Sequence, residues 1–407
     1  MPKRALAVII AGFFTVFIAY AVRYGYGMLL PEMLPALSIS KTEAGVIFSS
    51  YFIAYTIFSP LLGVLADRFD VRTLLTLFVG LLGIGAFLMS YASTVLNASL
   101  FFTLAGIGHS ACWVPVVTLV QRWVSDRRRG MALAFTDLGS ALGIVVWSSV
   151  LPIIVGAYDW RRGWVSLGVM AFLVAGLNYV CVRGPVEDRQ NLQGADQDGI
   201  STEPFRKTYM KLFIDTKFWL IGISYLLLSF AVLIPYTFLS TYAVEGLRAP
   251  YENATRLIGV IGLLGIVGKL ILGSLSDTLG RIRVMMTCGA LLALGSLGMA
   301  YSKGLFHLTV TTAVFGLGYG AIWPVYAAAA RDYFRRSVAG SVIGLWTLCL
   351  GVGSVISPIL GGWVIDRTGS YSSAFLLALA ASVIALILLL PIPNRAYTKG
   401  MSATIKS

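Results

Sequence analysis

Of the 407 residues, 57% are hydrophobic and only 12% are charged, and the mean hydropathy is +0.83. A soluble domain carries about 25% charged residues, so a soluble enzyme, a nucleic-acid binder and a disordered chain are all excluded. The net charge of +13 reads instead as a topology signal, because Lys and Arg mark the cytoplasmic side of membrane proteins.

A spanning helix needs about 20 mostly apolar residues. In chain order such runs are predicted over residues 5–30, 44–65, 73–92, 98–121, 131–156, 163–182, 216–243, 254–275, 284–302, 305–330, 338–364 and 371–391. The expected fold class is an all-α membrane protein of twelve transmembrane helices. Residues 1–182 form a six-helix bundle, residues 183–215 a polar cytoplasmic linker, and residues 216–407 a second six-helix bundle with a short cytoplasmic tail. The first run is too long for a signal-peptide core and carries Arg23, so it reads as a span rather than a cleaved signal. Cys112, Cys181, Cys288 and Cys349 all fall in or at the end of spans and read as apolar fillers.

With both termini in the cytoplasm, 22 of the 31 Lys and Arg fall on the inside and seven on the outside. The bias predicts N-in, C-in topology in the cytoplasmic membrane. Two cations, Arg23 and Lys269, lie within spans, where topology does not explain them.

The second half repeats the first at an offset of about 210 residues, counted along the printed sequence. Gly63-Val-Leu-Ala-Asp67 meets Gly273-Ser-Leu-Ser-Asp277, and Gly106-Ile-Gly108-His109-Ser-Ala111-Cys-Trp113 meets Gly316-Leu-Gly318-Tyr319-Gly-Ala321-Ile-Trp323. Gly130 meets Gly340, Gly143 meets Gly353, and Tyr26 meets Tyr236. Both six-helix halves run the same way, so they are parallel repeats. Such repeats place a substrate site near the midplane between them, and their rocking gives alternating access.

The stretch Gly63-x-x-x-Asp67-Arg68-x-x-x-Arg72 resembles the cytoplasmic signature of the major facilitator superfamily, and Gly273-x-x-x-Asp277 with Arg281 and Arg283 is its echo. Arg127-Arg128-Arg129-Gly130 at the start of the fifth span is also typical. Asp70 stands where the family usually has glycine, and Thr278 where it usually has a base. The resemblance covers essentially the whole chain and implies a secondary transporter. Asp67, Arg68, Arg72, Asp277 and Arg281 then read either as gating residues or as topology charges around tight turns.

A charge at mid-helix costs at least about 2.5–3.5 kcal/mol and so needs a partner or a task. Arg23 lies two-thirds of the way along the first span, in Tyr20-Ala-Val-Arg23-Tyr24-Gly-Tyr26. Its repeat partner is Leu233, so the fold does not demand a cation there. A guanidinium grips carboxylates and phosphates in bidentate fashion. The stretch is similar to the first helix of facilitators that carry organic anions, which implies anion binding by Arg23. The alternative is a snorkelling arginine, or one paired with Glu32. No second arginine occurs over residues 226–236, which argues against phosphate esters. Lys269-x-x-x-Gly273-x-x-x-Asp277 resembles the eighth helix of monocarboxylate carriers, which implies a carboxylate contact at Lys269; the alternative is snorkelling. Tyr20, Tyr24, Tyr51, Tyr55, Tyr236, Tyr319, Tyr326, Trp113, Trp323 and Trp346 are candidate walls of the site, against the commoner role of such rings in packing and interface belts.

For proton coupling the candidates are His109, the side-chain type whose ordinary titration lies nearest neutrality, and Asp137, an acid inside a span. Asp137 has an alternative partner in Arg127 to Arg129. No phosphate-binding loop or metal-ligand spacing occurs, so neither cofactor nor metal is expected. The expected function is proton-coupled uptake of a small organic anion, a carboxylate, by a protein acting as a monomer in the lipid bilayer. The alternative is a drug or metabolite exporter working by proton antiport. Against it, Gly139-x-x-x-Gly143 is followed by Ile144 and lacks the proline that exporters of the superfamily commonly carry there.

Overall fold

The computed structural model of the chain describes residues 3–182, 212–335 and 338–394, excluding the side chains of residues 3, 63, 64, 66–68, 126 and 127. The first half contains α1 (Lys3–Leu37), α2 (Lys41–Arg68), α3 (Val71–Met89), α4 (Val95–Ser110), α5 (Val114–Trp123), α6 (Asp126–Ala157) and α7 (Trp160–Cys181). The second contains α8 (Thr216–Thr241), which runs on into one π-helical turn at Tyr242–Gly246, then α9 (Tyr251–Leu279), α10 (Arg281–Ala300), α11 (Leu305–Tyr333), α12 (Ala339–Thr368) and α13 (Tyr371–Leu389). These make twelve apolar spans, with α4 and α5 forming one of them.

Short polar residues stop and restart the chain between spans. Ser40 and Glu43 form a reciprocal capping box at the start of α2, Thr94 and Asn97 do the same for α4, and Asp70, Asp159 and Asp215 accept from the first-turn amides of α3, α7 and α8. These side chains satisfy donors that a helix start leaves open.

Two elements depart from the sequence expectation. The first span does not stop at residue 30: α1 continues through Pro31 and Pro35 to Leu37. The fourth span is not one helix, because it is interrupted at Ala111 to Trp113. Pro115 falls in the first turn after the break, where a proline's missing N–H costs nothing. The equivalent span α11 is continuous although it carries Pro324, next to the repeat partner Val325.

Successive spans cross in opposite directions. The start of α1 and the α2–α3, α5–α6 and α9–α10 turns therefore share one face, called here the first face. The α1–α2, α8–α9 and α12–α13 turns lie on the second. The halves meet along α2 against α12, α6 against α9 and α1 against α8.

At the second face the seam is sealed. Asp366 accepts from the amides of Lys41 at 3.1 Å and Thr42 at 2.8 Å and from the Thr42 hydroxyl at 2.5 Å. Lys41 also pairs with Glu245 at 3.1 Å, and Tyr371 donates to Glu245 at 2.7 Å. Tyr251 donates to the Met28 carbonyl at 2.9 Å. Glycines let backbones touch across the seam: a Cβ at Gly45 would strike the Pro358 carbonyl, and one at Gly27 the Tyr236 carbonyl.

Candidate functional site between the halves

Toward the first face the halves separate around a cavity of about 530 Å³. Tyr20 of α1, Phe135, Asp137 and Ser140 of α6, Lys269 of α9, and Tyr319 and Trp323 of α11 supply its polar and aromatic lining, and the remaining wall is aliphatic or glycine. Close helix contacts set these positions. Gly139 and Gly143 let α6 press on the Phe13 and Phe17 backbone of α1. Gly106 lets α4 press on the Tyr51 backbone of α2, which brings His109, one turn later, against Tyr51.

Lys269 and Asp137 form an ion pair across the seam, from α9 to α6. Asp137 is eleven residues into α6 and Lys269 ten residues before the end of α9. At 1.5 Å per residue both lie about 15 Å from the first face. The sequence reading missed this partnership, offering Arg127 to Arg129 for Asp137. The signal was available in the matching depths of two opposite charges.

Arg23 lies one layer behind the cavity wall. It is 6% exposed. Its guanidinium carbon stands 4.5 Å from the centre of the Tyr55 ring, 5.1 Å from Tyr20, 5.2 Å from Phe52 and 5.5 Å from Tyr51. Nε donates to the Tyr51 hydroxyl at 3.4 Å, while Nη2 is buried without a hydrogen-bond partner. Among the described residues no carboxylate pairs with it; Glu32, the partner weighed from sequence, is not one of its contacts. Tyr20 separates it from the cavity, touching both. Rings around a desolvated cation are worth about 2 kcal/mol or more, which holds the guanidinium but leaves its charge without a counter-ion. Phe52 is the cage member that sequence reading did not single out. Its spacing from Tyr51 and Tyr55 on one helix was the available clue.

His109 ends α4 beside this cage. Its Nδ1 lies 2.5 Å from the Tyr51 hydroxyl and 3.1 Å from the Ala19 carbonyl. Tyr24 stacks on Tyr236 across the seam at 3.9 Å, and Tyr236 meets Tyr319 at 5.3 Å. The Tyr236 hydroxyl is buried and forms no hydrogen bond. Six of the residues expected to bind substrate thus gather here: Tyr20, Lys269, Tyr319 and Trp323 on the cavity, Tyr24 and Tyr236 along the seam. Arg23 is behind them. Trp113 is elsewhere: it stands at the α4–α5 break and packs against a cluster containing Val8, Ile9 and Val116.

The signature residues sit at the first face. The side chains of Asp67 and Arg68, like that of Arg127, lie outside the described residues. Arg72 covers the Tyr179 ring at 4.1 Å. Arg281 pairs with Asp277 at 2.6 Å and with Asp332 at 2.8 Å, tying the α9–α10 turn to the end of α11.

The Major Facilitator Superfamily profile matches residues 12–308 and 257–400. The chain belongs to this superfamily. Members similar over most of their length include the hexuronate transporter of Bacillus subtilis, 26% identical over 94% of this chain and 93% of that protein. The probable sulfoacetate transporter SauU of Cupriavidus necator is 23% identical over 89% and 87%, and monocarboxylate transporter 12 of Xenopus laevis 23% identical over 86% and 80%. Among solved facilitator structures, the nucleoside transporter NupG superposes with a TM-score of 0.81, covering 94% of this chain and 99% of that one at 14% identity. A bacterial homologue of the lysosomal transporter Spinster superposes at 0.74, covering 96% of each chain at 14% identity. The all-α, twelve-span fold of two parallel six-helix repeats is therefore the facilitator fold, and the chain is a multi-pass membrane transporter.

Proposed function

We propose that the protein takes up a small organic anion, a carboxylate, together with protons across the cytoplasmic membrane by alternating access. One observation carries the anion: Arg23 is a buried cation with no acidic partner among the described residues and one guanidinium nitrogen unused. A charge buried without a counter-ion is strongly unfavourable, and a ligand carboxylate supplies the missing one in the geometry a guanidinium prefers. Similarity to carriers named for hexuronate, sulfoacetate and monocarboxylates supports the same class of solute.

In this reading the solute reaches the cavity while the second face is open and leaves through the first face, and Tyr20 turns aside to expose Arg23 to it. Tyr24, Tyr236, Tyr319 and Trp323 contact the rest of the molecule. Lys269 is compensated by Asp137 at rest, so a single negative charge on the solute suffices. Protonation of Asp137 frees Lys269 for the solute and loosens the seam, and His109 is the second titratable group. The first face, where α1 starts and α13 ends, is cytoplasmic, and the sealed second face makes this the inward-facing state. Asp67, Arg68, Arg72, Asp277 and Arg281 gate the cytoplasmic side as the halves rock, and one chain is the working unit.

Purified protein in liposomes tests the reading with labelled D-glucuronate, sulfoacetate and L-lactate, with and without an imposed pH gradient. Uptake of at least one, driven by external acid and abolished by Arg23→Ala in a protein that still folds, is expected. Full uptake by Arg23→Ala, or transport confined to neutral and cationic compounds, overturns it.

A further inference from the structure

The Tyr51 hydroxyl stands between two groups that both claim it. Nε of Arg23 is 3.4 Å away and Nδ1 of His109 is 2.5 Å away. An arginine nitrogen only donates, so the Tyr51 oxygen accepts from Arg23 and its own hydrogen is left for His109. A neutral ring that carries its hydrogen on Nε2 accepts that hydrogen at Nδ1. The Ala19 carbonyl, 3.1 Å from Nδ1, already accepts a helical bond within α1 and gains a second donor only when Nδ1 bears a hydrogen. Nδ1 thus has a donor to accept from when bare and two acceptors to donate to when protonated.

We propose that Tyr51 and His109 make the hold of Arg23 on its anion dependent on one proton. This rests on the anion reading above and assigns His109, through Tyr51, as the positioning group that couples proton to solute. When His109 takes a proton on Nδ1, that nitrogen donates to the Tyr51 oxygen and to the Ala19 carbonyl. The Tyr51 hydrogen is released and turns toward an anion lying on the unused Nη2 of Arg23. The imidazolium also places a second positive charge one hydroxyl away from the guanidinium. Without an anion, two cations in one aromatic cage repel. With one, both are satisfied. Anion and proton thus bind together, and by reciprocity each raises the affinity for the other by the same factor.

The surroundings leave the decision to these groups. His109 faces Tyr20 and Arg23 of α1 and Tyr51 and Tyr55 of α2, with ring centres at 5.4 Å for Tyr20 and 5.2 Å for Tyr55, and Cys112 follows it in its own turn. Among the described residues no carboxylate hydrogen-bonds to His109 or Arg23. Asp137 is on the cavity side of Tyr20, committed to Lys269.

The chain has two histidines, so His307→Gln leaves His109 as a single reporter. Nitrogen-15 histidine spectra of that protein in lipid nanodiscs, without solute at neutral pH, should show Nδ1 bare and the hydrogen on Nε2. Hydrogen on Nδ1 there overturns the proposal whatever the solute is. Adding D-glucuronate, sulfoacetate or L-lactate, whichever the liposomes take up, should raise the His109 titration midpoint by about one pH unit, the equivalent of tenfold coupling. In Tyr51→Phe the solute should leave that midpoint unmoved, and in His109→Gln combined with Asp137→Asn the KM for whatever uptake remains should lose the pH dependence that Asp137→Asn alone retains, while folding persists. Uptake that needs Arg23 but leaves the midpoint unchanged overturns this coupling and spares the anion reading. If none of the three anions is taken up, both fall.

Discussion

Lys269 of α9 and Asp137 of α6 are joined across the seam between the two halves, at the open end of the molecule. Both side chains are about one-third accessible, 32% and 27%. The contribution of the pair therefore lies between the ~0–1 kcal/mol of exposed pairs and the about 3–5 kcal/mol lost when a buried pair loses one partner. Asp137→Asn and Lys269→Gln should each cut uptake by about tenfold or more, and exchange of the two charges, Asp137→Lys with Lys269→Asp, should recover most of the loss. Additive losses in that double-mutant cycle would mean that the two residues act separately.

Which parts of this arrangement the sequence made readable follows from what each signal consists of. The twelve spans rest on composition over windows of about 20 residues, a signal strong enough to survive errors at the ends. The break after Ser110 was missed because it lies in a run that is largely apolar, and hydropathy is blind to backbone geometry. Arg23 stood out because its charge has no topological reason. Its cage was only partly legible, since Tyr51, Phe52 and Tyr55 come from another helix and their rotation about its axis is set by packing. The seal at the second face escaped notice because Asp366 lies next to Arg367 at the end of a span and reads as an ordinary boundary charge.

Arg23 should be kept at a cost in stability. Methionine fills a similar volume without a charge, and replacing buried charges by apolar residues is often neutral or stabilising by about 1–4 kcal/mol. Arg23→Met is therefore expected to melt at or above the temperature of the unaltered protein in detergent, while its anion uptake is lost. A clear fall in melting temperature would show that the aromatic cage, not a ligand, is what the guanidinium is for.

Asp366 offers three acceptor contacts to the start of α2 from the other half, satisfying the Lys41 and Thr42 amides. Removing such a cap costs about 0.5–2 kcal/mol, which moves a two-state balance by up to about thirtyfold. Asp366→Ala should thus shift the protein toward the state open at the second face. Spin labels at Ser93 and Lys303, exposed on that face in opposite halves, in a chain whose four native cysteines are replaced, should report a longer distance than in the parent. An unchanged distance distribution would show that other contacts alone keep the seal.

Gly27 and Gly45 test the same seal sterically. A side chain at either would drive into a carbonyl of the facing half, Tyr236 for Gly27 and Pro358 for Gly45. Backbone cannot yield as a flexible side chain does, so the halves must part while each half keeps its own packing. Gly27→Val and Gly45→Val should fold, bind lipid as the parent does, and remain open at the second face in the same spin-label measurement, with uptake reduced at least about a hundredfold because the closed seal is one of the two states a rocking carrier must reach. Near-normal uptake in both variants would mean that the seal can form with the helices about a side chain's width further apart, and that the close contact of α1 with α8 and α2 with α12 serves packing alone.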